Sequence, residues 1–396
     1  MAQFGTGLDR GDDGAAVARR ATRAALSGVD GDPAYSVVFC SSRYDYETVV
    51  EGVREETGEA PLVGCSSAGE FTDRRVADGS VAVAVGGGGG HRFFTGLGTG
   101  LRDDETAAVR EAAGSLPTQV PDYPHRSVVN LHDGLAGKGE ELSLTCLNAL
   151  GQNVRFAGGS AGDDLNMERT CVFRDDTVAE DAVALGQFAS TSPPVISVEH
   201  GHEPISPPLT VTRAEGNTVH ELDGRPAFEV WKEHVAGRVR EEMDCHVENL
   251  DPGTDAFAAA LTNYVFGLET GTGLKIRWPG PTTRADGPIE FTCSIPEGTV
   301  LRVAASSTDE QVASAREAAR SAAELAGDTD VAGALVFDCI CRSTSLGDRF
   351  AEAVDAIDDE LGVPFIGFET YGEMAMERGQ LSGYHNTTTV IMLLPE

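Results

Sequence analysis

Lysine is nearly missing from this 396-residue chain. Of its 30 basic residues, only Lys138, Lys232 and Lys275 are lysines. Against those 30 stand 63 aspartates and glutamates, a formal net charge of −33. That balance argues against polyanionic partners, because nucleic acid and an anionic bilayer would both be repelled. Excess acid with depleted lysine is the composition of proteins that work in molar salt. At about 1 M salt the Debye length falls to roughly 3 Å, and repulsion between dispersed carboxylates is largely screened. A halophilic, salt-filled cytoplasm is therefore expected.

Other absences narrow the class further. The opening MAQFGTGLDRGDDG has neither the basic nor the apolar region of a secretory leader. No run approaches about 18 apolar residues, so no membrane insertion is expected. The eight cysteines are scattered, which is not a disulfide framework. They read as small buried hydrophobes, with Cys339 and Cys341 on opposite faces of a strand. No G-x-x-x-x-G-K-[ST] is present, so nucleotide hydrolysis is not expected. The absence of C-x-x-C-H excludes covalent c-type haem. The chain is 41% apolar with 47 glycines, and so is not an acidic disordered tail. Its length allows two to three domains with sizeable cores.

What is present repeats. Three segments share an apolar strand, a helix ending at glycine, a second apolar strand and a Gly-acid loop. The first runs SVVFCS (36–41), a helix over about 46–57, Gly58 and PLVGCSSAGEF (61–71). The second runs SVVNLHD (127–133), a helix over about 138–150, Gly151 and VRFAGGSAGDD (154–164). The third runs GALVFDC (333–339), a helix over about 347–361, Gly362 and VPFIGFETYGEM (363–374). From helix-ending glycine to loop acid is 12, 12 and 11 residues, ending at Glu70, Asp163 and Glu373. A glycine precedes each acid: Gly69, Gly162 and Gly372. Apolar strands follow at 80–85, 182–188 and 387–394. The expected fold class is α/β, two lobes built from repeated β-α-β-β units, with mixed sheets packed by helices.

Further helices are expected over 13–26, 104–113, 225–242 and 309–326. The last carries a capping box of Thr308 and Gln311. Phe228, Trp231 and Val235 fall at helical spacing, as core residues do. Gly86–Gly90 reads as a flexible connection. Residues 210–224 read as a hairpin turning at Gly216-Asn217. The domain boundary is expected near residue 220, giving lobes 1–220 and 221–396.

These same residues carry a resemblance. The run VVFCSSRYDYETVV, with PLVGCSSAGEF, FAGGSAGDD and GNTVHELDGRPAFEVW, resembles the FIST sensory domain. From about residue 221, IEFTCSIPEGTVLRVA, FDCICRSTSLGDRF and PFIGFETYGEMA resemble its FIST C companion. The resemblance implies a small-ligand sensory module in signal transduction, with amino acids or related metabolites as the proposed ligand class. It also implies an output partner such as a kinase or chemoreceptor, because no kinase core or long coiled coil is recognised in this chain. Haem-binding nitric-oxide sensing is the alternative that the resemblance brings. It supplies no catalytic residues, and no cofactor is assigned.

The candidate ligand-binding residues are those of the Gly-acid loops. Cys65, Ser66, Ser67, Gly69 and Glu70 come from the first, and Ser160, Gly162 and Asp163 from the second. The third gives Glu369, Tyr371, Gly372 and Glu373, joined by His385 and Asn386 before the last strand. Hydroxyls and backbone N–H groups suit a carboxylate, and an acid suits an ammonium. Arg342 and Arg43, each just after a strand that opens a repeat, could fork onto an anion. The alternative is that the loops are turns, with glycine there for geometry. His132, His200, His202 and His385 are the histidines open to a haem. Gly158-Gly159-Ser160-Ala161-Gly162 fits G-x-S-x-G, but a nucleophile elbow needs a helix directly after the serine. Here β-branched and aromatic ERTCVF (168–173) follows, so a serine hydrolase is the third reading.

Overall fold

The computed structural model describes residues 2–396 except 152, 271–272, 281–282, 285–286 and 377–382. It is α/β with mixed sheets, and the repeat proves longer than the sequence pattern indicated. The first unit comprises strand Ala2–Asp9, helix Gly14–Leu26, strand Tyr35–Ser41, helix Tyr46–Thr57 and strand Leu62–Ser67. A hairpin, Glu70–Thr72 with Arg75–Ala77, and strand Val81–Gly88 complete it. The second repeats that order from His91–Thr99 through helices Glu105–Gly114 and Gly139–Leu150 to Ala182–Ser190. The third begins with Val195–Glu199, is interrupted by residues 200–307, and resumes at helix Thr308–Ala326. It ends on strand Thr389–Pro395.

Local chemistry accounts for the helices. Asp13, Asp45 and Asp104 each accept a backbone N–H of the first turn, satisfying a donor with no partner inside the helix. Gly58 and Gly151 take positive φ at the helix ends. The capping box lies one residue earlier than expected, on Ser307 and Glu310. The third helix is split into Ile340–Leu346, a short 3-10 turn Gly347–Arg349, and Phe350–Leu361, because Gly347 adopts φ 54°. Since the strand stops at Cys339, Cys341 lies in a helix, and the opposite-face expectation for the two thiols does not hold. Gly86 and Gly87 are not a loose connection but strand. The Tyr35 ring covers Gly86, where a Cβ would lie 2.0 Å from Cζ.

Each unit forms a sheet in one order: first strand, last strand, second, third, then a hairpin from another unit. The second and third strands run parallel and the others antiparallel. The added hairpin comes from a neighbour in a cycle. The first unit's hairpin pairs with the third unit (Ile366↔Thr72), the third's with the second (Glu373↔Gly159), and the second's with the first (Val172↔Cys65). These sheets cross the boundary expected near residue 220, which itself falls in strand Thr218–Leu222. Inward faces of the three sheets share one core containing Phe39, Val63, Leu131, Phe188, Phe337 and Phe368. Helix pairs cover the outer faces, as a sheet buried on both sides requires. The 200–307 insertion carries helix Ala227–Glu242 and a fourth sheet, with Phe228, Trp231 and Val235 buried as expected. It packs into the core outside the second unit.

Candidate functional site

The hairpin exchange has a geometric consequence. Each Gly-acid loop joins the parallel pair of its own unit to a hairpin in the next sheet, so the three loops meet. Ala68 N donates to Glu369 O at 3.1 Å, and Glu369 N returns a bond to Gly69 O at 2.9 Å. Ser160 N donates to Gly372 O at 2.8 Å and Tyr371 N to Ser160 O at 3.2 Å. Gly162 N donates to Ser66 O at 3.0 Å and Asp164 N to Ser67 O at 3.2 Å, closing the ring. The glycines permit this approach. A Cβ on Gly162 would lie 2.8 Å from Ala68 N, and one on Gly69 would lie 2.6 Å from the Glu369 carboxyl.

The loop acids are deeply committed. Glu70 accepts from Ser80 N at 3.0 Å, from the Ser80 hydroxyl and from the Ser67 hydroxyl. Burial nevertheless pushes its carboxyl up to about 8, against the opposing pull of Ser67 and Ser80. Glu373 accepts likewise from Thr370 Oγ1 at 2.5 Å and Thr388 N at 3.1 Å, and burial raises it well above the carboxylate range. Glu369 is raised for the same reason and accepts from Ser343 Oγ at 2.5 Å.

Asp163 is not their counterpart, although its spacing suggested so. An excursion over 163–170 separates it from the hairpin. Its carboxylate folds that excursion by accepting from the amides of Met167, Glu168 and Arg169 at 3.0, 2.7 and 2.9 Å, and from Tyr371 Oη at 2.5 Å. The residue doing what Glu70 does is Asp133. It accepts from Asp181 N at 2.8 Å, as Glu70 accepts from Ser80 N, and also from Thr170 Oγ1 and Arg102. Sequence reading missed it because it ends a different strand.

The other predicted residues are held in the fold's own hydrogen bonds. Cys65, Ser66 and Ser67 are fully buried, and Ser66 Oγ accepts from Cys171 N at 2.9 Å. Arg342 is no free fork. It is buried, paired to Asp338 at 2.8 Å, and donates to Ser314 Oγ and Gln311 O at 3.0 Å each. Arg43 pairs with Asp12 at the surface. His385 Nε2 donates to Ala375 O at 3.3 Å. Asn386 Oδ1 accepts from Trp278 N and Thr292 Oγ1, both at 3.2 Å and both from the insertion.

Ser160 has a histidine partner, but not His385. Its hydroxyl lies 2.8 Å from His132 Nε2, and His132 Nδ1 lies 3.1 Å from Asn130 Oδ1. The signal was readable: Asn130 and His132 alternate on one face of a strand, and His132 is the register partner of Ser160. For acyl transfer the arrangement is poor. Ser160 is 3% exposed, and the amides after it are spent, Ala161 N on His132 O and Gly162 N on Ser66 O. No helix follows it, so no oxyanion hole is formed there.

The haem candidates fit poorly too. Both His132 nitrogens are engaged. His200 Nε2 donates to Leu274 O at 3.1 Å while its Nδ1 accepts from His202 N at 2.9 Å. His202 keeps an unpartnered Nε2, buried, and burial lowers that ring to about 3. Two surface clefts, of about 470 and 330 Å³, lie along residues 118–126 and between Ala323 and Leu393, and neither is lined by a histidine. Among the described residues no cluster of histidine, cysteine and acid could hold a metal ion.

The chain is thus three α/β units with exchanged hairpins and a substantial insertion in the third. Residues 35–225 match the family model of the FIST N domain and residues 227–376 that of the FIST C domain. The chain therefore carries a FIST N domain followed by a FIST C domain, and such domains are associated with sensing small ligands in signal transduction. It is similar to "Uncharacterized protein MT0656" of Mycobacterium tuberculosis, 28% identical over 99% of both chains. It is also similar to "Uncharacterized protein MJ1623" of Methanocaldococcus jannaschii, 25% identical over 52% of this chain and 42% of that one. No helix among the described residues is long and apolar enough to cross a membrane.

Proposed function

We propose that this chain is a cytoplasmic receptor for an amino acid or related metabolite, adapted to molar salt. It would hand its bound state to a signalling partner such as a kinase or chemoreceptor. The observation that carries the reading is where the third Gly-acid loop sits. Its acid, Glu373, pairs in register with His385, and the next residue, Asn386, accepts from the insertion. Three repeated units and one non-repeated element meet there. Ligand-dependent movement of the insertion would be visible at the surface. The Glu70 and Asp163 loops frame this place. A sensor must bind its ligand differently in two states, and a junction between unlike parts can have two states.

A thermal-shift screen against amino acids and related metabolites in high potassium chloride tests the reading. A saturable rise in melting temperature with one compound class is expected, and silence across the panel counts against it. The salt adaptation is tested in the same apparatus: the melting temperature should climb steeply as KCl is raised toward the molar range.

A further inference from the structure

The larger surface cleft, about 470 Å³, is lined by residues 118–121, Tyr123, Pro124 and Arg126. It lies at the end of the second sheet away from the Gly-acid loops. Arg126 stands near the start of strand His125–His132, whose last residue pairs in register with Ser160. The register sets a second arginine nearby. Ala189 of strand Ala182–Ser190 pairs with Arg92 on one side and with Arg126 on the other. Directly paired residues share a sheet face, so the two arginines flank Ala189, about 10 Å apart across two strand spacings. Arg92 Cζ lies 4.9 Å from the centroid of the Tyr123 ring, which is itself part of the cleft wall.

In a chain with 63 acids and 30 bases, an arginine has no shortage of carboxylates. Among the described residues these two nevertheless bond only neutral oxygens. Arg92 donates to His91 O, and Arg126 to Pro117 O and Gln187 Oε1, in each case through Nη1 at 3.4 Å. A guanidinium has five N–H donors, so most of the Arg126 fork is uncommitted. Arg126 is half-buried, and burial lowers its guanidinium from the ordinary value, a cost that an anion beside it would offset. The wall around it is fixed. Tyr123 N donates to Val120 O at 3.1 Å, and the Tyr123 hydroxyl donates to Gly89 O at 3.0 Å. Asp122, the one acid between Gly114 and Arg126, is exposed at φ 67° and does not line the cleft.

We infer that this cleft binds a small organic carboxylate with an apolar body, the carboxylate on the Arg126 fork and the body against Val120, Pro121, Tyr123 and Pro124. The volume lies in the range of small-molecule sites, roughly 300–1,000 Å³. A guanidinium takes a carboxylate through two parallel N–H bonds, which gives orientation as well as charge. Arg92, stacked on Tyr123, adds a second positive charge to the same wall. Two prolines and a hydrogen-bonded tyrosine lose little freedom when a ligand settles on them. This site is separate from the Gly-acid loops, and the inference goes beyond the sensor reading without depending on it.

The test is saturation-transfer NMR of benzoate titrated onto the full chain in high sodium chloride, with benzyl alcohol as the uncharged analogue. Saturable binding of benzoate is expected, with benzyl alcohol about tenfold weaker. Arg126→Gln should weaken benzoate about tenfold and Arg92→Gln about threefold. Arg110, exposed on the adjoining helix Glu105–Gly114, is the control, and Arg110→Gln should leave the affinity unchanged. Arg92 is an exposed side chain, so loss of affinity in its variant at an unchanged melting temperature separates lost binding from lost structure. Absence of saturable binding, equal affinity for benzyl alcohol, unchanged affinity in Arg126→Gln, or an equal loss in Arg110→Gln overturns the inference. Thermal stabilisation by an amino acid with no benzoate binding overturns it and leaves the sensor reading standing.

Discussion

The first and second units are built to one plan and close their axial loops differently. In the first, the acid is on the loop: Glu70 bonds Ser67 behind it and Ser80 at the start of the closing strand. In the second, the loop acid Asp163 holds an excursion, and Asp133, from the end of the preceding strand, bonds Asp181 at the matching place. The third unit agrees with the first, through Glu373 and Thr388. The fold therefore requires a carboxylate at the amide that opens the closing strand, and does not care which element supplies it. A buried amide must be satisfied, whatever the route. The freed loop can then be lengthened, and Leu165 and Met167 stand exposed on it.

The third unit departs elsewhere. Asp338 stands where the first and second units have Cys40 and Leu131, each opposite the same place on the neighbouring strand. Arg342→Ala, which strands Asp338 in the core, should cost about 3–5 kcal/mol in a denaturant melt. Adding Asp338→Leu, the second unit's solution, should recover most of it. If the double variant is no better than the single, the units are not interchangeable there.

Next in size is a pH effect. Burial raises the Glu70 carboxyl from its ordinary 4.5 to about 8, so the native state holds its proton more tightly than the unfolded chain. That stabilisation is complete below about pH 4.5 and is lost as pH rises through about 8, by up to about 5 kcal/mol. Glu70→Gln should flatten that slope while leaving acid stability near wild type. An unchanged slope would place the titration elsewhere.

The two acids of the second unit give a smaller contrast. Asp133→Ala should cost about 2–3 kcal/mol, because a buried amide and hydroxyl lose their acceptor. Asp163→Ala should cost about 1–2 kcal/mol globally, yet open residues 163–170 to amide exchange and proteolysis. Equal global losses with no local opening would erase the distinction between them.

Smallest is Gly162→Ala, whose Cβ would meet Ala68 N at 2.8 Å. It should lower the melting temperature by a few degrees, through about 1 kcal/mol of strain. Gly58→Ala meets no atom within 4 Å and tests the left-handed φ of 61° alone.

Much of the local structure was legible. Caps at Asp13, Asp45 and Asp104, glycine stops at Gly58 and Gly151, and buried strands such as 36–41 declare themselves through short-range chemistry. So does the repeat, since its spacing is a sequence property. The Gly-acid loops could be located, and they do converge. Their chemistry could not be read, because Glu70 and Asp163 look alike until their hydrogen-bond donors are known. His132 was read only as a possible haem ligand and not as the partner of Ser160, Asp133 sat in the repeat unremarked, and Arg277 lay in the insertion, where no repeat pointed to it.

By itself, then, the sequence determined the acidic composition, the elements and the recurrence of one unit, all of which depend on residues close together in the chain. Only the tertiary structure decided which sheet each hairpin joins and which acid closes which loop. A hairpin such as Glu70–Ala77 offers the same unpaired edge to any strand, and the choice of partner is made by packing between residues hundreds of positions apart. That same packing brought the buried Arg277 to the Tyr384 carbonyl and to Glu140, and no local pattern records it.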